Sequence, residues 1–313
     1  MDLSQLEALL AVVEAGTFSA AAGRLALTQS ALTRKIQSLE AECGTALLVR
    51  SRPRVQPTPT GRAVLESARR IQLEMDHLRE LFAPAGADVH GRIRAAATPI
   101  GLTYIYWPIC EQFLQRHPQV DLAFQDVELP ADGPRLVRTG AADVAFSALP
   151  LPGALSRLNV VRLGSVESVL FAHPEHPLVA EQPVAPERLR DQRVVLYRRR
   201  SDDREFVTQT WLDELGSAPG LFETGDVEYL KRLVRLGRGL SVLPWPAVEY
   251  EVTTGALARI RVQAPSLFQE FGLVYNTGRV PRAVRVLADF CRGLPFSELH
   301  AASLERQAGG RAG

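Results

Sequence analysis

Apolar and polar positions alternate at helical spacing over the first forty residues. Leu3, Leu6, Leu9, Leu10 and Val13 form one stripe, and Gly16 ends it. Ser19 is suited to cap a second helix over Ala20–Leu25, followed by a tight break at Ala26-Leu27. Thr28 then caps a third helix running to Cys43, with Gly44 as its stop signal. In this third helix Leu32, Ile36 and Leu39 share an inward face, and Ser30, Thr33, Arg34 and Gln37 share the outward one. Residues 46–50 read as a strand, with Val55-Gln56 as its partner.

Thr60 is positioned to cap a long helix from Gly61 to Phe82. Its apolar residues Val64, Ala68, Ile71, Met75, Leu78 and Phe82 recur at alternating steps of four and three. That spacing predicts a heptad seam fitted to a two-stranded dimerisation helix. Residues 83–88 (APAGAD) read as a hinge.

From Gly91 onward the pattern changes to alternating strands and helices. Strands are predicted at Ile93–Thr98, Val120–Gln125 and Asp143–Ser147, with helices at Leu102–Arg116 and Pro134–Thr139 between them. Asn159–Ala172 reads as a long strand leading into a second subdomain. There the strands Arg193–Tyr197 and Leu240–Leu243 and the helices Phe206–Leu215 and Val227–Leu236 repeat the theme. Leu257–Val262 is expected to return the chain, and the strand Gly272–Asn276 and helix Arg282–Cys291 to complete the first subdomain. Such alternation predicts a parallel sheet covered by helices.

Length and composition fit this division. At 313 residues the chain is long for one core. Its 46% apolar and 23% charged content is that of a globular protein. No apolar run reaches the ~18–20 residues of a membrane span, and the N-terminus has no signal-peptide pattern, so a cytoplasmic location without membrane association is expected. The net charge of +1 conceals local structure. Over residues 28–54, Arg34, Lys35, Arg50, Arg52 and Arg54 face only Glu40 and Glu42, a balance of +3. The outward face of the third helix carries hydrogen-bonding groups of the kind that read base edges in a major groove, or else is the solvated polar face of a structural helix. Arg50, Arg52 and Arg54 alternate along a wing where phosphate contacts would be made.

Candidate chemistry elsewhere is sparse. Cys43, Cys110 and Cys291 are far apart and form no metal spacing, and they read as free thiols. His173 and His176 sit in a proline turn without a third ligand, so no metal or other cofactor is expected. Gly237-Arg238-Gly239 lacks the third glycine of a dinucleotide fingerprint, and no catalytic motif is present. An enzyme or a solute-binding protein on the same α/β scaffold would leave residues 1–82 unexplained, so the chain is not read as an enzyme.

The ordered series Gly16-Thr17-Phe18, Ala21-Ala22, Leu25, Gln29-Ser30-Ala31, Thr33-Arg34, Leu39-Glu40, Gly44 and Thr58-Pro59-Thr60-Gly61 resembles the DNA-binding domain of LysR-type transcriptional regulators. Ser30 stands where proline is common, and Leu48-Val49-Arg50 where a Phe-x-Arg triplet is usual. More loosely, GRIRAAATPIG, HPQVDLAF, LVRTGAADVAF, VLFAHPEHPL and LVRLGRGLSVLP follow the order of that family's sensor domain. The resemblance implies base or backbone contacts from Gln29, Ser30, Thr33 and Arg34, with Gln37 on the same face and Arg50, Arg52 and Arg54 on the wing. It implies a winged helix-turn-helix followed by two Rossmann-like subdomains of periplasmic-binding-protein type, with a small-molecule effector between them. It also implies a dimer through the linker helix, often paired into a tetramer, with double-stranded DNA and RNA polymerase as partners.

The expected limits are 1–60 for the DNA-binding domain, 61–88 for linker helix and hinge, and 89–296 for the effector domain. Within the last, subdomain I covers about 91–161 and 267–294 and subdomain II about 162–266, and 297–313 form a disordered tail. Ligands of open α/β sheets bind beyond the carboxyl ends of strands. This selects Thr98, Pro99 and Ile100; the 126–129 turn, with Glu128 and Leu129; and Arg198, Arg199 and Ser201. Asp226, placed to cap a helix after Gly225, is a fourth candidate. The arginines at 198–200 either attract an anionic effector or form a solvated loop balanced by Asp202, Asp203 and Glu205.

Overall fold

The computed structural model describes residues 1–49, 55–82, 88–155, 157–197, 222–278 and 280–294. Two compact units are present, one built on Met1–Ala87 and the other on most of the chain from Asp88 onward.

The first unit begins with α1 (Leu3–Ala15), opened by a capping box. The Asp2 carboxylate accepts from Gln5 N–H, and the Gln5 amide oxygen accepts from Asp2 N–H, both at 2.8 Å. Gly16, at φ 72°, ends α1 in the left-handed conformation that glycine adopts freely. α2 (Phe18–Arg24) is capped by Thr17, not by Ser19 as expected. After the Gly16 turn, Thr17 has the extended backbone that an N-cap needs, and Ser19 already lies inside the helix. α3 (Gln29–Cys43) is capped by Thr28 and closed by Gly44. Leu32, Ile36 and Leu39 are fully buried against Leu6, Leu9 and Val12 of α1.

β1 (Leu48–Val49) pairs antiparallel with β2 (Gln56–Pro57). α4 (Pro59–Leu81) starts two residues earlier than expected, and its cap is Thr58 rather than Thr60. The Thr58 hydroxyl accepts from Gly61 N–H at 2.9 Å, and the Thr58 carbonyl accepts from Arg62 N–H. Pro59, which has no N–H to lose, suits the first helical position. Leu65 and Ala68 pack into the core of this unit together with Val64. Farther along the seam Ile71, Leu78 and Phe82 are exposed.

The second unit is organised around a seven-stranded mixed sheet. β3 (Gly91–Ala97) runs parallel to β4 (Val120–Asp126) and to β5 (Val144–Leu149). β6 (Asn159–Ala172) is 14 residues long, about 46 Å at strand rise. β11 (Leu267–Tyr275) lies antiparallel to both β5 and β6. The expected all-parallel sheet is therefore corrected. Among the described strands, β3 pairs in parallel with β4 and β5, and the small β7 (Val195–Tyr197) with β8 (Phe222–Thr224), while isolated parallel bridges join Val184 to Val262 and Val194 to Leu240. The long strands β6, which takes the chain out of the first lobe, and β11, which brings it back, are antiparallel. The return itself is β11, not Leu257–Val262. Within that expected segment, β10 (Ala258–Ile260) pairs with the far end of β6, as does β9 (Ser241–Pro244).

In the first lobe, α5 (Pro99–Gly101), a π-helical turn (Leu102–Tyr106) and α6 (Trp107–Arg116) form one continuous rod after β3. Pro108 cannot donate to the Tyr104 carbonyl, and the wider turn accommodates that missing bond. α7 (Asp132–Arg138) and α11 (Arg282–Arg292) complete this lobe. Tyr106 packs on Phe146 and Phe271, with ring centroids 4.8 and 5.8 Å apart. The second lobe carries α8 (Pro177–Ala180), α9 (Val227–Arg235) and α10 (Trp245–Thr253); α10 was not anticipated. The expected helix Phe206–Leu215, all of the expected 83–88 hinge except Asp88, and the expected tail 297–313 lie outside the described residues.

Candidate functional site

α3 separates its residues cleanly by face. Gln29, Ser30, Arg34 and Gln37 are exposed, and Thr33 is half-buried beside them. The Thr28 and Ser30 hydroxyls lie 3.1 Å apart, and the Thr33 hydroxyl donates to the Gln29 carbonyl at 2.8 Å. Among the described residues no ion pair or side-chain hydrogen bond engages Arg34. Lys35, counted with it in the local charge, turns the other way: its ammonium donates to the Ser4 hydroxyl of α1 at 2.7 Å. The two nearby acids are also committed. Glu42 accepts from the Gln5 amide at 3.0 Å and pairs with the chain's N-terminal ammonium. Glu40 accepts from the backbone N–H groups of Leu47 and Leu48. Both carboxylates are thus hydrogen-bonded within their own domain. Arg50, Arg52 and Arg54 lie outside the described residues.

In the second unit, three of the expected turns converge. The Thr98 hydroxyl accepts from Gly101 N–H at 3.3 Å, and Pro99 opens α5. Ile100 is buried in the second lobe's apolar cluster with Phe171, Val227 and Leu230. Val127 N–H donates to the Ala97 carbonyl, which places the turn bearing exposed Glu128 and half-buried Leu129 beside the end of β3. Asp226 caps α9 by accepting from Tyr229 N–H at 2.8 Å. Val227, next in the chain, shares the cluster that receives Ile100. Arg198, Arg199 and Ser201 lie outside the described residues.

The same junction holds a charged network that the sequence reading missed. Lys231 is 4% exposed. Its ammonium reaches Glu228 at 2.7 Å, Glu251 at 2.8 Å and the Ala247 carbonyl at 3.1 Å. The Tyr104 hydroxyl, from the π-helical turn of the first lobe, donates to Glu228 at 2.6 Å. Burial would raise the Glu228 carboxyl, but hydrogen bonds from Lys231 and Tyr104 and the nearby ammonium hold it below the ordinary carboxylate value. Burial and Glu228 in turn hold the Tyr104 phenol well above its ordinary value. The sequence carried no local signal for this site. Of 36 basic residues only two are lysines, Lys35 and Lys231. An ammonium ringed by three acceptors is a place for a compact charge rather than a planar guanidinium fork.

The thiols take no part in this network. Cys110 and Cys291 are buried, and burial pushes both up, Cys291 to about 12. They therefore stay protonated at neutral pH. Among the described residues no group of three or more His, Cys, Asp or Glu could hold a metal ion, and no helix is long and apolar enough to cross a membrane.

A helix-turn-helix with an exposed polar face on its third helix, joined to a two-lobed α/β domain, defines a ligand-responsive transcription regulator. Residues 3–62 match the family described as bacterial regulatory helix-turn-helix proteins of the lysR family, and residues 86–294 match the LysR substrate-binding domain. The chain belongs to the LysR family of transcriptional regulators. It is 31% identical to the HTH-type transcriptional regulator LrrA of Synechococcus elongatus over 299 residues, covering 90% of this chain and 99% of that protein. With the transcriptional activator CmpR of Synechocystis identity is 25% over 277 residues, covering 88% and 90% of the two chains. Full-length OxyR of Pseudomonas aeruginosa shares the fold with a TM-score of 0.75 at 25% identity, over 95% of this chain and 96% of its own. Full-length CbnR, solved with its target DNA, superposes with a TM-score of 0.59 at 23% identity, over 93% and 99% of the two chains, a likeness of fold. The protein is thus a sequence-specific DNA-binding regulator with an effector-binding domain.

Proposed function

We propose that α3 enters the major groove and reads bases through Gln29, Ser30, Thr33, Arg34 and Gln37, while Arg50, Arg52 and Arg54 contact flanking phosphates. The observation that carries this reading is the state of Arg34. It is exposed and unpaired among the described residues, and both neighbouring acids are engaged inside the domain. A guanidinium so presented can bind guanine in bidentate fashion. The exposed seam of α4 beyond Ala68 supports a dimer through the linker helix, and a two-fold dimer matches a palindromic operator. Pairing into tetramers and contact with RNA polymerase extend this reading, in a cytoplasmic protein.

The domain limits that go with it are 1–60, 61–88 and 89–296, with subdomains at about 91–161 plus 267–294 and about 162–266, and a tail from 297. A small-molecule effector binds at the junction of the two lobes, where Thr98, Pro99, Ile100, Glu128, Leu129 and Asp226 converge; Arg198, Arg199 and Ser201, which follow β7 in the sequence, complete the proposed set. Lys231 is not an effector ligand in this scheme, since its three N–H groups already have acceptors. The site binds and does not turn over its ligand. The test is selection of sites from random duplexes at stated salt by wild type and Arg34→Ala. Enrichment of an interrupted palindrome by wild type, lost in the variant, is the expected outcome. Wild-type selectivity retained by Arg34→Ala overturns the assignment of the reading face.

A further inference from the structure

The backbone segment Ala46–Leu48 is gripped from two sides. From α3, one carboxylate oxygen of Glu40 accepts from Leu47 N–H at 2.8 Å and from Leu48 N–H at 3.1 Å. From the start of α4, Thr58 N–H donates to the Leu47 carbonyl at 2.9 Å, and the Thr58 hydroxyl donates to the Ala46 carbonyl at 3.0 Å. Gly61 lies so close that a Cβ there would stand 2.0 Å from the Leu47 carbonyl oxygen. A single residue, Leu47, thus has its N–H held by the recognition helix and its C=O held by the linker helix. Its side chain is fully buried, which fixes the segment against sliding.

We propose that Glu40 is a positioning residue for operator recognition: through Leu47 it sets the angle between α3 and α4, and so the half-site spacing that the protein accepts. This rests on the dimer reading given above. The bonds from Glu40 are charge-assisted and reach two successive amides, so they constrain direction as well as distance. Small errors at this point are amplified along α4. Over its 23 residues, α4 is about 35 Å long, so a pivot of about 10° at its start moves its far end by about 6 Å, close to two base-pair steps of ~3.4 Å. The contacts of α3 with α1, Lys35 to Ser4 and Gln5 to Glu42, do not touch this segment. Removing Glu40 therefore leaves the reading face seated on its own domain.

The experiment is site selection from random duplexes by the full-length protein, with thermal unfolding of each variant measured alongside. Wild type is expected to enrich two half-sites at one fixed spacing. Glu40→Ala is expected to enrich the same half-site sequence at several spacings. Glu40→Gln, whose amide oxygen still accepts, is expected to restore the single spacing. Gly61→Ala attacks the clamp from the other side and is expected to change the preferred spacing without changing the half-site; it decides the matter if Glu40→Ala does not fold. A single wild-type spacing kept by folded Glu40→Ala or Gly61→Ala overturns the inference, as does loss of the half-site sequence itself. Unpaired half-sites enriched by wild type would instead overturn the dimer reading, an outcome recognisable before any variant is examined.

Discussion

The proposed reading face of α3 and the junction between the two lobes are both rich in polar side chains, and they use them in opposite ways. On α3, Gln29, Arg34 and Gln37 are exposed and make no side-chain hydrogen bond among the described residues. At the junction, Lys231, Glu228, Glu251 and Tyr104 satisfy one another. A surface whose partner is another molecule keeps its donors unpaired. A joint that must keep its shape in the free protein pairs them internally, because a buried charge without a partner is strongly unfavourable. Substitutions should therefore separate by region: at the junction they change stability, and on α3 they change selectivity with stability nearly constant.

The largest effect is expected from Lys231→Ala. It leaves the Glu251 carboxylate, 12% exposed, without its cation, and removal of one partner from such a pair costs about 3–5 kcal/mol. Urea unfolding monitored by circular dichroism measures this. A loss within about 1 kcal/mol would place the network among weakly contributing surface pairs and break the comparison. Arg34→Ala comes next and on a different axis. Discrimination among operators should fall by about 1–3 kcal/mol, while unfolding stability stays within about 0.5 kcal/mol of wild type. Competition binding against point-changed duplexes, beside the same urea titration, tests both halves of that statement.

Tyr104→Phe removes one bond of the network without emptying space, and a loss of about 1 kcal/mol is expected. Its pH dependence has a defined sign. The Glu228 carboxyl is held below its ordinary value of 4.5. Its contribution is therefore complete above that value and disappears as pH falls through the lowered one. The gap between wild type and Tyr104→Phe should be constant near neutrality and close in acid. A gap that widens in acid would mean that the phenol does not act through Glu228.

The two regions also differ in how much of them could be read from sequence. The helix-turn-helix was legible because its determinants are local: Gly16 and Gly44 end helices, Thr28 caps one, and Leu32, Ile36 and Leu39 repeat within one helix. Even there, Thr17 and Ser19, and Thr58 and Thr60, were interchanged. Residue type alone does not say which hydroxyl sits on extended backbone. The junction was half legible. Strand ends pointed to Thr98 and Glu128, and a helix cap to Asp226, but Tyr104 reaches Glu228 across 124 residues of chain, a pairing without local signature. The mixed sheet was missed because alternation of strands and helices does not encode strand direction once β11 inserts between β5 and β6.

The smallest effect, and the one that sharpens the comparison most, lies at Thr33, which like Ser30 is a member of the proposed reading face that is not wholly uncommitted. Its hydroxyl donates back to the Gln29 carbonyl one turn earlier. Such a bond competes with recognition for the same proton. What Thr33 then offers DNA is its methyl group, which is suited to a thymine methyl. Thr33→Val keeps a methyl and loses the hydroxyl; Thr33→Ser keeps the hydroxyl and loses the methyl. If the hydroxyl remains tied to Gln29 in the complex, Thr33→Val should hold operator affinity within about threefold, or roughly 0.6 kcal/mol. Thr33→Ser should lose preference at a single thymine position. The reverse ranking in a competition assay would mean that the hydroxyl leaves Gln29 on binding. Thr33 would then join Arg34 as a donor released for its DNA partner.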